Sequence, residues 1–130
     1  TNHMINSAEF SPFELEDAIL QGKTSKALEI IKSLRKADSY SGPLLIWIMA
    51  KITNLASIAS KHKSPQMYLK NSGVWQSKIN DYLSFIKNQT NDDLNSMQKK
   101  IYELELSLKG LIKKDFWIEL ESLICQLGPN

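Results

Sequence analysis

Half-cystines are missing from this chain. One cysteine, Cys125, stands alone in 130 residues, so no internal disulfide can staple the fold, and a reducing cytoplasmic compartment fits. Punctuation is sparse too. Five glycines and four prolines are spread over the whole length, and no alternating apolar–polar run is bounded by hairpin turns, which excludes a β-rich fold. Charge of one sign is also lacking. Sixteen Lys and Arg against fourteen Asp and Glu leave a net of +2, too little to argue for nucleic acid by charge alone. With two histidines, one of them (His3) in the opening residues, no pair stands at metal-ligand spacing. The longest apolar run, Leu44 to Ala50, falls short of the roughly twenty residues of a membrane span. Neither a signal peptide nor an internal repeat is visible.

What is present is helical periodicity in a length suited to one domain. The opening Thr1-Asn2-His3-Met4 resembles a tag remnant, so residues 1–9 are expected to be tag and linker and 10–130 a single helical domain cut from a longer chain. Leu44 to Ala50 opens a helix running to about His62, with Gly42-Pro43 at its start. Apolar all round for two turns, it is expected to be the buried central post. Beyond Ala50 the apolar face narrows to Ile52, Leu55, Ala56 and Ala59, with Thr53, Asn54 and Ser57 on other faces.

The remaining segments read as helices leaning on that post. Ser11-Pro12-Phe13-Glu14 is a capping box with proline at the first helical position, and Gly22 a left-handed stop. Leu15, Ala18 and Ile19 point inward. A helix over 24–37 carries Ala27, Ile30, Ile31 and Leu34 at the spacing of one buried face. Ser64-Pro65 starts one or two turns, and Asn71-Ser72-Gly73 breaks the chain again. A helix over 74–88 is expected to align Trp75, Ile79, Tyr82, Leu83 and Ile86 on one face. Thr90 caps the next, whose seam is Leu94, Met97, Ile101, Leu104, Leu108 and Leu111. Residues 109–115 form a basic tip, and a last helix turns Phe116, Leu120, Leu123 and Leu127 inward until Gly128-Pro129 stops it. The fold class is therefore all-α, an antiparallel bundle of about five to six helices.

Catalytic constellations are hard to find. Gly22-Lys23-Thr24 imitates the end of a phosphate-binding loop, but position 17 is Asp rather than Gly and an amphipathic helix, not a strand, precedes it. Cys125, among Leu123, Ile124 and Leu127, reads as a buried thiol acting as a small hydrophobe. Glu103 and Glu105, two apart on a helix, diverge. No nucleophile, base and oxyanion site assemble, so no catalytic residue, cofactor or metal is expected. Trp47, Trp75 and Trp117 read as core or subunit-interface anchors.

The order of several stretches resembles the C-terminal collar domain of the bacterial DNA polymerase III δ subunits. These are Phe13-Glu14-Leu15-Glu16-Asp17-Ala18 to Gly22, Ala27 to Arg35, Leu45-Ile46-Trp47-Ile48-Met49-Ala50-Lys51, Gly73-Val74-Trp75-Gln76-Ser77-Lys78, Glu103 to Gly110, and Trp117-Ile118-Glu119-Leu120-Glu121. The resemblance implies a collar-type bundle that associates with τ/γ and δ′ collar domains in a clamp-loader ring acting in DNA replication. It further implies that the sliding clamp is reached only through N-terminal modules absent here. The family often carries Arg where this chain has Lys51 and Lys78, and its members can carry an aromatic residue where this chain has Ile112. Leu44, Trp47, Lys51, Ile58, Tyr102 and Leu106 are the expected subunit-interface residues, and Lys109, Lys113 and Lys114 the expected DNA-proximal ones. The alternative is a stand-alone helical module binding nucleic acid or another protein; no membrane partner is expected.

Overall fold

A computed structural model describes residues 10–37 and 40–128. The expected tag and linker at 1–9, with His3, lie outside the described residues, as do part of the 38–42 turn and Pro129. Among the described residues seven helices follow one another: α1 (Pro12–Leu20), α2 (Thr24–Ala37), α3 (Gly42–Lys61), α4 (Pro65–Asn71), α5 (Gln76–Lys87), α6 (Asn91–Leu108) and α7 (Phe116–Leu127). Among the described residues there is no strand. The all-α expectation holds, but the helices number seven among the described residues rather than about five to six.

Local chemistry sets the boundaries. Ser11 Oγ accepts from the backbone of α1 while Glu14 reaches back to the Ser11 N–H at 2.6 Å. Thr90 and Asp93 repeat the arrangement at α6, and the Ser64 and Asp115 side chains cap α4 and α7. Each satisfies N–H groups that have no partner inside the helix. Gly22 takes φ +72° after α1 and Gly110 φ +74° after α6, a backbone region that side chains with a Cβ resist.

α3 is the central post. It packs most extensively on α6 and also touches α1, α4 and α5. Gly42 lies against Leu108, and Gln98 donates to Ser57 Oγ at 3.4 Å, so α3 and α6 run antiparallel. By length and composition α3 could cross a membrane, but half of its apolar window is buried within the fold. Leu45, Ile48, Met49, Ile52, Ala56 and Ala59 are essentially inaccessible and meet Leu15, Ile30, Ile31, Tyr82, Leu94 and Leu120 in one core.

Several inward assignments are corrected. The first two turns of α3 are not buried all round: Leu44 and Trp47 face outward, 37% and 53% exposed. Four helices surround α3, and none covers that stripe. Thr53 and Ser57, expected on other faces than the apolar stripe, are buried instead. Thr53 tolerates this because its hydroxyl donates to the Met49 carbonyl at 2.7 Å. Trp75 is not a helical core residue but the N-cap of α5, 74% exposed. The buried face of α5 is Ile79, Tyr82 and Phe85, with Leu83 and Ile86 half-buried. The α6 seam ends at Leu104. Ser107 takes the next inward place, its hydroxyl on the Lys114 carbonyl at 2.6 Å, which turns Leu108 and Leu111 outward. Cys125 is exposed, not buried, because Leu123 and Ile124 occupy the inward side of α7.

Candidate functional site

α1 carries an inward-facing carboxylate. Leu15, Ala18 and Ile19 set its apolar stripe, but α1 packs against α2, α3 and α5 at once. Glu16 is therefore covered as well, 2% exposed. A carboxylate is costly there unless every lone pair is used. Lys51 of α3 lies 3.3 Å from its Oε2, Lys78 of α5 lies 3.2 Å from its Oε1, and the Tyr82 hydroxyl of α5 donates to Oε2. Lys78 also reaches Asp17 at 3.1 Å. Two carboxylates face two ammonium groups, so the cluster is electrically balanced and ties three helices together at one point.

Titration follows from that geometry. Burial alone pushes the Glu16 carboxyl up, but the Tyr82 and Lys78 hydrogen bonds and the charges of Lys51 and Lys78 outweigh it and hold it below the usual range. Burial pushes Lys78 down, and Asp17 and Glu16 overcome this and raise it. Burial and then Glu16 push the Tyr82 phenol well up. All three move away from neutrality, the opposite of what proton transfer at neutral pH requires. The cluster can hold a geometry; it is not poised to exchange protons.

The cluster floors a solvent-open groove of about 490 Å³ whose walls include Phe13, Leu55, Val74 and Trp75. Phe13 is 51% exposed on its rim. Among the described residues, no group of three His, Cys, Asp or Glu gathers to hold a metal ion.

The expected interface residues fall into two sets. Leu44, Trp47, Lys51 and Ile58 share one stripe of α3, within about 60° at 100° per residue. Leu44, Trp47 and Ile58 are exposed on it. Lys51 bridges this stripe and the groove, since its ammonium also sits 5.6 Å from the centre of the Trp47 ring. On α6, Tyr102 is 61% exposed, while Leu106, one turn on, is half-buried. The expected DNA-proximal lysines share the tip between α6 and α7. Lys114 lies 3.7 Å from Glu103 and Lys109 4.0 Å from Glu105; Lys113 is exposed. Trp117 is half-buried, with the Arg35 guanidinium 5.4 Å from its ring centre and Phe116 packed edge-on.

Sequence reasoning named Lys51 but missed its partner. The available signal was an acid, Glu16, flanked by Leu15 and Ala18 in a short capped helix, with two lysines elsewhere at places where the resembled family often has Arg.

No family model matches the chain. It is 28% identical over 120 residues to the DNA polymerase III subunit delta of Escherichia coli (strain K12), covering 91% of this chain and 35% of that protein. It is 27% identical over 128 residues to the DNA polymerase III subunit delta of Haemophilus influenzae, covering 90% of this chain and 37% of that one. The chain thus spans little more than a third of the length of these curated relatives. Over nearly all its own length, this all-helical chain is similar to the delta subunit of DNA polymerase III, the resemblance its ordered motifs imply.

Proposed function

We propose that this chain is the collar domain of a δ-type clamp-loader subunit, a non-catalytic cytoplasmic block that holds the subunit in its ring during DNA replication. The observation that carries the reading is the outward stripe Leu44, Trp47 and Ile58 on the central helix. Large apolar side chains along one face of the central helix are what a subunit contact needs, and tryptophan is among the residues that most often dominate such contacts. The likeness to two delta subunits supports the same assignment. On this reading the partners are the τ/γ and δ′ collar domains. Tyr102 and Leu106 flank the contact on α6. The sliding clamp is engaged by modules outside this chain, and Lys109, Lys113 and Lys114 lie nearest the primed DNA.

The test is co-elution. The chain, mixed with γ and δ′ collar domains, is expected to shift to a common peak in size exclusion, and Trp47→Ala is expected to weaken the complex by about 2 kcal/mol or more. A wild-type chain that elutes alone overturns the assignment. Two of the three tip lysines pair with glutamates, so direct DNA binding is expected to be weak and to fall steeply with salt.

A further inference from the structure

We infer that Glu16 is a positioning residue that fixes the outward-facing Trp47 side chain through the Lys51 ammonium. Each link is a contact in the structure. The Glu16 carboxylate is itself buried and gripped by Tyr82 and Lys78 of α5. Its Oε2 lies 3.3 Å from Lys51 Nζ, and that nitrogen lies 5.6 Å from the Trp47 ring centre. Lys51 has a flexible stem and a side chain 36% exposed. Without an anchor such a side chain would sample several rotamers in water. The buried carboxylate selects the one that puts the ammonium over the indole. Trp47, one turn before Lys51, is 53% exposed, so packing alone leaves its ring room to turn. A cation held over one ring face restricts it, and a side chain ordered in advance loses less freedom when a partner binds.

The cluster is thus more than a pin between helices: it carries order from a buried site on α1 to a surface site on α3. That the ordered ring serves subunit association rests on the collar reading. That it is ordered by Glu16 does not, and the two are tested separately.

The experiment uses the 130-residue chain with Trp75→Phe and Trp117→Phe, so that Trp47 alone emits. Time-resolved anisotropy and acrylamide quenching report the freedom and exposure of its ring. Glu16→Gln and Lys51→Met are each expected to enlarge the fast local motion and to raise quenching by roughly 1.5-fold or more, the response to losing a ring-face cation. The double variant is expected to match either single one, because both remove the same link. Lys51→Arg, which keeps a stacking cation, restores the wild-type signal. Tyr82→Phe, which removes one hold on the carboxylate but leaves Lys78 and Lys51 on it, is expected to loosen the ring less than Glu16→Gln does. Should Glu16→Gln fail to fold, Glu16→Asp withdraws the carboxylate by one methylene and is expected to loosen the ring likewise. An unchanged Trp47 signal in Lys51→Met, or additive effects in the double variant, overturns the inference; so does a Tyr82→Phe response equal to that of Glu16→Gln. In the association arm, Glu16→Gln is expected to weaken binding to γ or δ′ collar domains on the order of two- to tenfold. Loosened Trp47 with undiminished association shows that the ordered ring does not serve subunit association and leaves the positioning role standing, whereas a wild-type chain that binds neither collar domain counts against the collar reading alone.

Discussion

Removing the buried carboxylate tests whether the α1–α3–α5 cluster holds the fold. Glu16→Ala leaves the Tyr82 hydroxyl without its acceptor at a residue 0% exposed, and leaves Lys51 and Lys78 without Glu16. Stranding a fully buried charge costs about 3–5 kcal/mol. Here the stranded groups are less trapped, because the lysine side chains are 36% and 23% exposed and can turn toward water, and Lys78 keeps Asp17 at 3.1 Å. The hydroxyl bond to a charged acceptor contributes roughly 1.5–3 kcal/mol, and the screened lysine pairs on the order of 1 kcal/mol together. The expected loss is therefore about 2–4 kcal/mol, read as a lower urea midpoint at unchanged slope. Tyr82→Phe is expected to lose about 1–2 kcal/mol, and the two changes together less than their sum. The pH dependence carries a sign. Glu16 is held below its ordinary value, so its contribution is present above the unfolded carboxyl pKa, near 4.5, and fades as pH falls through the lower folded value. Lys78 and Tyr82 are raised; their contributions are full below about pH 10 and fade as pH rises through the folded values. A loss below about 1 kcal/mol for Glu16→Ala, or the same acid limb in the variant as in the wild type, would refute the reasoning.

Three further outcomes are expected. Ile52 and Ile58 share α3 but are 0% and 49% exposed; Ile52→Ala should cost about 2–4 kcal/mol and Ile58→Ala within about 0.5 kcal/mol, a contrast measurable by urea unfolding. Thr90→Ala removes one half of the α6 capping box and should lower stability by about 1 kcal/mol, visible as a drop of roughly 3–5 °C in Tm. Cys125 is exposed, so a thiol reagent should label the native chain at the rate seen in urea; protection until unfolding would contradict the orientation of α7.

Much of the fold is legible before any coordinates, and for a local reason. Ser11 with Glu14, Ser64 with Pro65, Thr90 with Asp93, and glycines 22 and 110 act within a few residues of themselves, so the ends of α1, α4 and α6 follow from neighbours in sequence. Ala27, Ile30, Ile31 and Leu34 reveal the buried face of α2 because α1 and α7 cover it along a simple stripe. The readings that failed depend on what stands opposite. Trp75 and Tyr82 look alike in a helical pattern, yet a helix that starts at Gln76 leaves the first in solvent and buries the second. Leu108 and Leu111 continue the heptad of α6, but the chain turns at Gly110, which leaves Leu108 only partly covered, beside Gly42, and Leu111 largely in solvent.

Composition and periodicity by themselves determined the class: helices, their limits and a single apolar core, because the backbone obeys local sterics and the hydrophobic effect counts apolar area without regard to partner. Only the tertiary arrangement decided which apolar surface is left over and where charge is buried. Lys51 and Lys78 lie 35 and 62 residues from Glu16 along the chain. A carboxylate inside the bundle becomes tolerable only when packing brings them within about 3 Å of it, and nothing in the pattern of α1 records that meeting.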